Sequence, residues 1–317
     1  MGVNMNDEIP EVELPRGVAL AWGVAANPQR GPKRELSIER IVEAAVEIAD
    51  RDGLAAVSMS SVAASLGFTT MSLYRYVSAK EDLILLMQEY GTGLPPATIA
   101  EAPDWRSAMM AWSHAALASY EAHAWLVDIP ILGTPNTPNN LAWMDVALAA
   151  LDSTPLTVNE RVGTLLLLSG QTRWEATILK GYTQSNQALG MTPSERDRAD
   201  AHIIATLVTE ELFPALYRAI QSGGFLEDDD EDQQFRFGLE RLLDGIQHYI
   251  DSGKSTGTPT PQKPWQPPDS FPRDEAVKAA RQARREAEGK LREAQKRERE
   301  AIKKAEERAQ KEREKRG

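Results

Sequence analysis

Residues 58–83 read SMSSVAASLGFTTMSLYRYVSAKEDL. Ser58 suits a helix N-cap, because its hydroxyl can accept from a free amide of the first turn. Val62, Ala63 and Leu66 then recur at helical spacing, and the small Ala63 and Ala64 permit close helix approach. Gly67 follows, the residue best able to take the left-handed conformation that ends a helix. Phe68 is expected to fill the core at the turn. Thr69 is a second N-cap candidate. The helix it opens, Thr70 to Tyr76, turns Leu73 and Val77 inward. Ser78-Ala79-Lys80-Glu81 reads as a capping box that starts another helix, with Leu83, Ile84 and Met87 on one face. Two short helices around a tight turn, supported by a third, form a helix-turn-helix, the device that lays one helix in the DNA major groove.

The preceding stretch extends this unit. Ser37 caps a helix in which Ile38, Ile41, Val42, Ala45, Ile48 and Ala49 share a face, and Asp52-Gly53 ends it. Residues 37–92 therefore read as an all-α DNA-binding domain.

The segments IVEAAVEIADRDGL (41–54), SMSSVAASLGF (58–68) and LYRYVSAKEDLI (73–84) resemble the DNA-binding domain of the tetracycline-repressor (TetR) family. The remaining helical region is similar to the family's ligand-binding domain in outline. The resemblance implies a homodimeric regulator that binds a double-stranded DNA operator and answers to a small-molecule effector. It also implies phosphate contacts at Tyr76 and Lys80.

The residues themselves carry a parallel reading. Thr69, Thr70, Met71 and Ser72 lead the recognition helix, where side chains reach base edges. Methionine and threonine offer apolar contact to a thymine methyl, and the hydroxyls bond either base type. Arg75 is a helper. Tyr74, Tyr76 and Lys80 suit phosphate, which sets register rather than sequence; for Tyr74, core packing is the alternative. Ser58 joins this candidate set at the start of the preceding helix. Upstream, Gln29-Arg30-Gly31-Pro32-Lys33-Arg34 suits a basic arm in which Lys33 and Arg34 track the minor groove or backbone; the bland alternative is a solvated linker. Residues 30–90 nevertheless carry a net charge of −2. The cations must be concentrated on one face, and a single copy of this domain would bind weakly.

Composition sets the outer bounds. The chain has 317 residues, 42% of them hydrophobic, which allows about two domains with real cores. It has no cysteine, which excludes disulfides and thiolate metal sites and fits a cytoplasmic location. No apolar run reaches the roughly 20 residues needed to cross a bilayer, so no membrane contact is expected. Residues 1–36 read as a flexible leader, acidic at first, with a Val18–Trp22 patch able to pack locally.

A second helical region spans 93–252, with helices expected at 104–120, 139–152, 157–182, 194–221 and 231–251. Pro214 should kink or split the fourth. Val162, Leu165, Leu166, Ile178 and Leu179 lie on the third, and Phe235, Leu239, Leu242, Leu243, Ile246 and Ile250 stripe the last. In the family two late helices pair with their symmetry mates, and these two are the candidates; an ordinary intramolecular core is the alternative. An effector would bind in this region, so it is read as a ligand-binding and dimerisation domain. Trp112, His114, Trp125, Trp143, Gln171 and Trp174 are the candidate ligand contacts, since pockets are commonly apolar and aromatic with a few polar groups. Any of these aromatics can equally be plain core, and Gln171 and Arg173 can equally sit at a dimer seam. His114 and His123 lack metal-ligand spacing, so neither metal nor other cofactor is expected. No catalytic constellation stands out, and the chain does not read as an enzyme.

The acidic run 227–232 reads as a solvated loop. Residues 253–272 form a Pro-rich linker. Residues 273–317 carry a net charge of +6 and read as a long charged helix, partly disordered. Pairs such as Glu293 with Arg297 support it by only about 0.2–0.5 kcal/mol each, and a coiled-coil pattern is weak. This tail could add DNA affinity or recruit a protein, or it could be a plain solvated appendage. An all-α protein–protein adaptor working through the basic tail is the competing reading of the whole chain.

Overall fold

The structure, a computed structural model, describes residues 14–24, 36–131, 133, 136–222 and 231–258. The basic-arm residues Lys33 and Arg34, the acidic stretch 227–230, the linker beyond 258 and the charged tail lie outside the described residues. Among the described residues every element is helical: α1 Arg16–Ala21, α2 Ile38–Asp52, α3 Met59–Leu66, α4 Thr70–Tyr74, α5 Lys80–Thr92, α6 Trp105–Ala122, α7 Pro138–Leu151, α8 Val158–Leu189, α9 Pro193–Leu207, α10 Pro214–Gln221 and α11 Glu231–Asp251. Short 3-10 turns interrupt the loops at Leu54–Ala56, Ala97–Ile99 and Ala124–Asp128.

Local chemistry sets most helix starts. The Ser37, Thr69 and Asp104 side chains accept from the amides of Arg40, Ser72 and Ser107. Ser58 and Ser61 form a reciprocal capping box, as do Thr157 with Glu160 and Thr192 with Glu195. Gly67 closes α3 at φ 74°, and the Phe68 amide reaches back to the Ala63 carbonyl, the Schellman arrangement. Proline opens α7, α9 and α10, where its missing donor costs nothing. Pro214 thus splits the 194–221 region, as its position implied.

Four expectations are corrected. The Ser78–Glu81 capping box does not form. Helix α5 starts one residue later, with Ala79 at the N-cap and no side-chain cap. Asp82 in its first turn instead accepts from the Gly17 amide (2.9 Å). Second, the flexible leader is helical over Arg16–Ala21, where the Val18–Trp22 patch packs locally as expected. Helix α1 packs on α5 with Val18 buried, and a Cβ at Gly17 would stand 2.7 Å from the Asp82 carboxylate. Trp22 donates to the Asn136 carbonyl (2.8 Å). Third, Phe68 does not fill the core; it is 37% exposed. Fourth, α8 runs on to Leu189, where Gly190 ends it at φ 64°.

Two cores result. The first joins α2–α5 around Ile41, Val57, Val62, Leu73, Val77 and Leu83, and the turn at 124–128 adds Trp125 and Leu126. The second joins α6, α7, α8 and α11 around Met109, Trp112, Trp143, Leu168, Phe235 and Leu239. Polar contacts tie the first core to the segments around it. Asp50 at the end of α2 takes the Trp125 indole N–H (2.6 Å) and lies 2.8 Å from His123 Nδ1. The Asn139 amide and side chain bond Glu89 Oε1 and the Glu89 carbonyl, both at 2.8 Å. Burial pushes the Glu89 carboxyl above its usual range.

Glu160 clamps α8 to α11. It accepts from the Tyr249 hydroxyl, the Thr157 amide and Ser255, and these bonds draw its pKa from 4.5 to about 2. A folded-state pKa below the unfolded value gives stability that is complete above 4.5 and lost as pH falls towards about 2. Glu160→Gln should flatten the acid limb of the melting temperature measured across that window.

Candidate nucleic-acid interface

Helix α4 ends at Tyr74, two residues short of the expected Tyr76, and rests on two apolar anchors. Leu73 and Val77 are fully buried beneath it. The Thr69 side chain caps it, accepting from the Ser72 amide at 3.3 Å, with the two hydroxyls 2.9 Å apart. This pins the leading end while its outer side chains stay free. Met71 is 73% exposed, Thr69 and Arg75 are exposed, and Thr70 and Ser72 are half-buried. The motif thus brings Thr69, Thr70, Met71 and Ser72 together on one exposed helix start, the geometry by which a recognition helix meets base edges.

The flanking candidates divide. Tyr74 is 43% exposed, which favours the outward reading over core packing. Tyr76 is half-buried against the first core, and Lys80 is half-buried at the start of α5. The Ser58 hydroxyl is engaged with the Ser61 amide and with Ser60 and Ser61 hydroxyls, so its evident role is to hold α3. Phe68 was not a sequence candidate; its exposure one residue before Thr69 adds an aromatic beside the leading edge.

The ligand candidates are split between two places. Trp112 and Trp143 meet edge to face in the second core (5.8 Å), with the Trp112 indole donating to the Trp143 carbonyl (3.0 Å). His114 packs on Phe235 (5.6 Å) with Nδ1 2.8 Å from the Met110 carbonyl, and Gln171 lies against Gly238. Trp125 and Trp174 do not join them. Trp125 is 1% exposed in the first core, and Trp174 is 62% exposed on the outside of α8. Arg173 is committed to the Val127 and Ile129 carbonyls at 2.8 and 2.7 Å, so it braces the 124–128 turn. Among the described residues no cluster could hold a metal ion, and no helix is long and apolar enough to cross a membrane.

Two family models match this sequence. Residues 41–87 match the bacterial regulatory proteins of the tetR family, and residues 99–250 match the tetracyclin repressor-like C-terminal domain. A relative named HTH-type transcriptional repressor DrrR1, from Streptomyces coeruleorubidus, is 33% identical over 253 residues, which is 78% of this chain and 90% of the relative. The chain belongs to the TetR family. It is a DNA-binding transcriptional regulator with the family's helix-turn-helix at α3–α4. A second relative, an HTH-type transcriptional regulator from Saccharopolyspora erythraea, is 32% identical over 123 residues, 39% of this chain and 52% of the relative. Among solved structures, the TetR family protein ActR of Streptomyces coelicolor in complex with actinorhodin superposes with a TM-score of 0.58 at 24% identity, over 71% of this chain and 100% of ActR. At that identity the likeness speaks for the TetR fold.

Proposed function

We propose that the chain is a homodimeric repressor that a small molecule releases from its operator, acting in the cytoplasm with the DNA it reads. The observation that carries this is the exposed leading end of α4, held over buried Leu73 and Val77 in a hydrophobic core distinct from the second. DrrR1, named a repressor, and ActR, solved with actinorhodin, support the two halves of the reading. Each subunit places α4 in a major groove, at half-sites one helical turn of about 34–36 Å apart, or a multiple of it. An effector in the second core favours a subunit arrangement with another spacing, and coupling follows only from its better binding to that arrangement. The Glu89–Asn139 contact, from α7 to α5, and the Asp50–Trp125 contact, from the turn that follows α6 to α2, are the route by which a shift of the second core reaches α5 and α2.

The dimer seam is assigned to the outer faces of α8 and α11. Leu166, Leu167 and Trp174 are exposed on α8, as is Phe237 on α11. A Cβ at Gly163, Gly170 or Gly245 would meet open space, so another helix can approach closely there. Leu166→Asp tests this. The variant should keep its melting temperature, sediment as a monomer and lose about a hundredfold in operator affinity, since paired sites give that order of avidity. A variant that stays dimeric refutes the seam.

A further inference from the structure

Helices α6, α8 and α11 lie in a determinable register. Arg106, early in α6, binds Asp244 late in α11 (2.6 Å), and His114, later in α6, meets Phe235 early in α11. These two helices are antiparallel. Glu160 early in α8 bonds Tyr249, and Gln171 faces Gly238, so α8 is antiparallel to α11 as well. Helices α6 and α8 therefore run parallel, and His114 and Gln171 share a level. Ser113 and Thr172, their immediate neighbours, fall at that same level.

Both of these side chains point inward. Ser113 and Thr172 are 0% and 1% exposed, and neither hydroxyl has a hydrogen-bond partner among the described residues. Hydroxyls on the same two helices do satisfy themselves. Ser119 donates to the Ala115 carbonyl (3.2 Å), Ser169 to Leu165 (2.7 Å) and Thr177 to Arg173 (2.7 Å). Helical geometry thus does not forbid the bond. A buried hydroxyl without a partner costs stability, and a pair of them at one level calls for a reason. Two aromatic pairs, Trp112 with Trp143 and His114 with Phe235, belong to the same core.

We propose that Ser113 and Thr172 are the polar anchor of the effector site, and that the effector is an uncharged aromatic molecule carrying hydroxyl or carbonyl oxygens. This rests on the ligand-responsive reading above and specifies its chemistry. Hydroxyls donate and accept without charge, so they match neutral oxygens. The nearby cations are committed elsewhere, Arg106 to Asp244 and Arg173 to two carbonyls, and an unpaired ion would be costly in this core. The rings supply flat apolar contact for an aromatic skeleton.

The test uses the full chain and two probes, dihydroxynaphthalene and naphthalene, titrated by tryptophan fluorescence. Wild type binds the oxygenated probe more tightly. In Ser113→Ala with Thr172→Val the preference disappears, an affinity loss of about tenfold, while naphthalene binds as before. The double variant also melts no lower than wild type, because two unpaired polar groups have been replaced by apolar groups of like shape. A retained preference, equal binding of both probes by wild type, or a lowered melting temperature each overturns the anchor while leaving the repressor reading intact. Failure of wild type to bind either probe overturns the anchor and the effector reading together.

Discussion

Met71→Glu should leave the fold untouched and remove operator binding. The side chain is 73% exposed and takes no part in either core, and glutamate suits a helix interior as well as methionine does. An acid in the first turn of α4 even favours the helix dipole slightly. The melting temperature should therefore stay level. On DNA the same change would replace the proposed apolar contact to a thymine methyl with a negative charge between phosphate rows. The expected loss is about 2 kcal/mol at each half-site, roughly thirtyfold, and about a thousandfold for a dimer. Fluorescence anisotropy on the chain's own upstream DNA measures it. An affinity within about threefold of wild type would remove Met71 from the interface.

Trp125→Ala should be the most destabilising of the single changes considered. The indole is buried, lies against the backbone of Gly91 and the ring of His123, and donates to Asp50 at 2.6 Å. A Cβ on Gly91 would sit 3.2 Å from the indole, so α5 and the 124–128 turn are closely fitted there. Removing a buried tryptophan costs about 3–5 kcal/mol, a large part of the roughly 5–15 kcal/mol that holds such a protein. Trp125→Phe keeps most of the ring and loses the hydrogen bond, at about 1–2 kcal/mol. Denaturant midpoints for the two variants separate packing from the polar bond. Equal midpoints would show that the Asp50 bond dominates the joint.

What could be read from the chain alone follows the range of the interactions involved. Ser37, Ser58 and Thr69 cap their helices within three residues, so their roles were legible at once. Leu73 and Val77 were legible as anchors because a short helix over a core leaves its periodic apolar positions little choice. The start of α5 was not. Ser78 fits a capping pattern, yet the helix begins beyond it, and Asp82 is held by an amide 65 residues away. Aromatic residues at helical spacing announce burial but not which core receives them. Hence Trp112 and Trp143 lie together while Trp125 serves the other core and Trp174 stays outside. Ser113 and Thr172 look like ordinary helical residues in the sequence. Only the packing of α6, α8 and α11 shows that their hydroxyls lack partners among the described residues.

Hydroxyl-radical footprinting of the full chain on its own upstream DNA puts the account to its most direct trial. Two protected patches should appear on one face of the duplex, their centres one helical turn of about 34–36 Å apart or a multiple of it, and both should vanish with Met71→Glu. Protection that survives that substitution, or a single unpaired patch, would contradict recognition by two copies of α4.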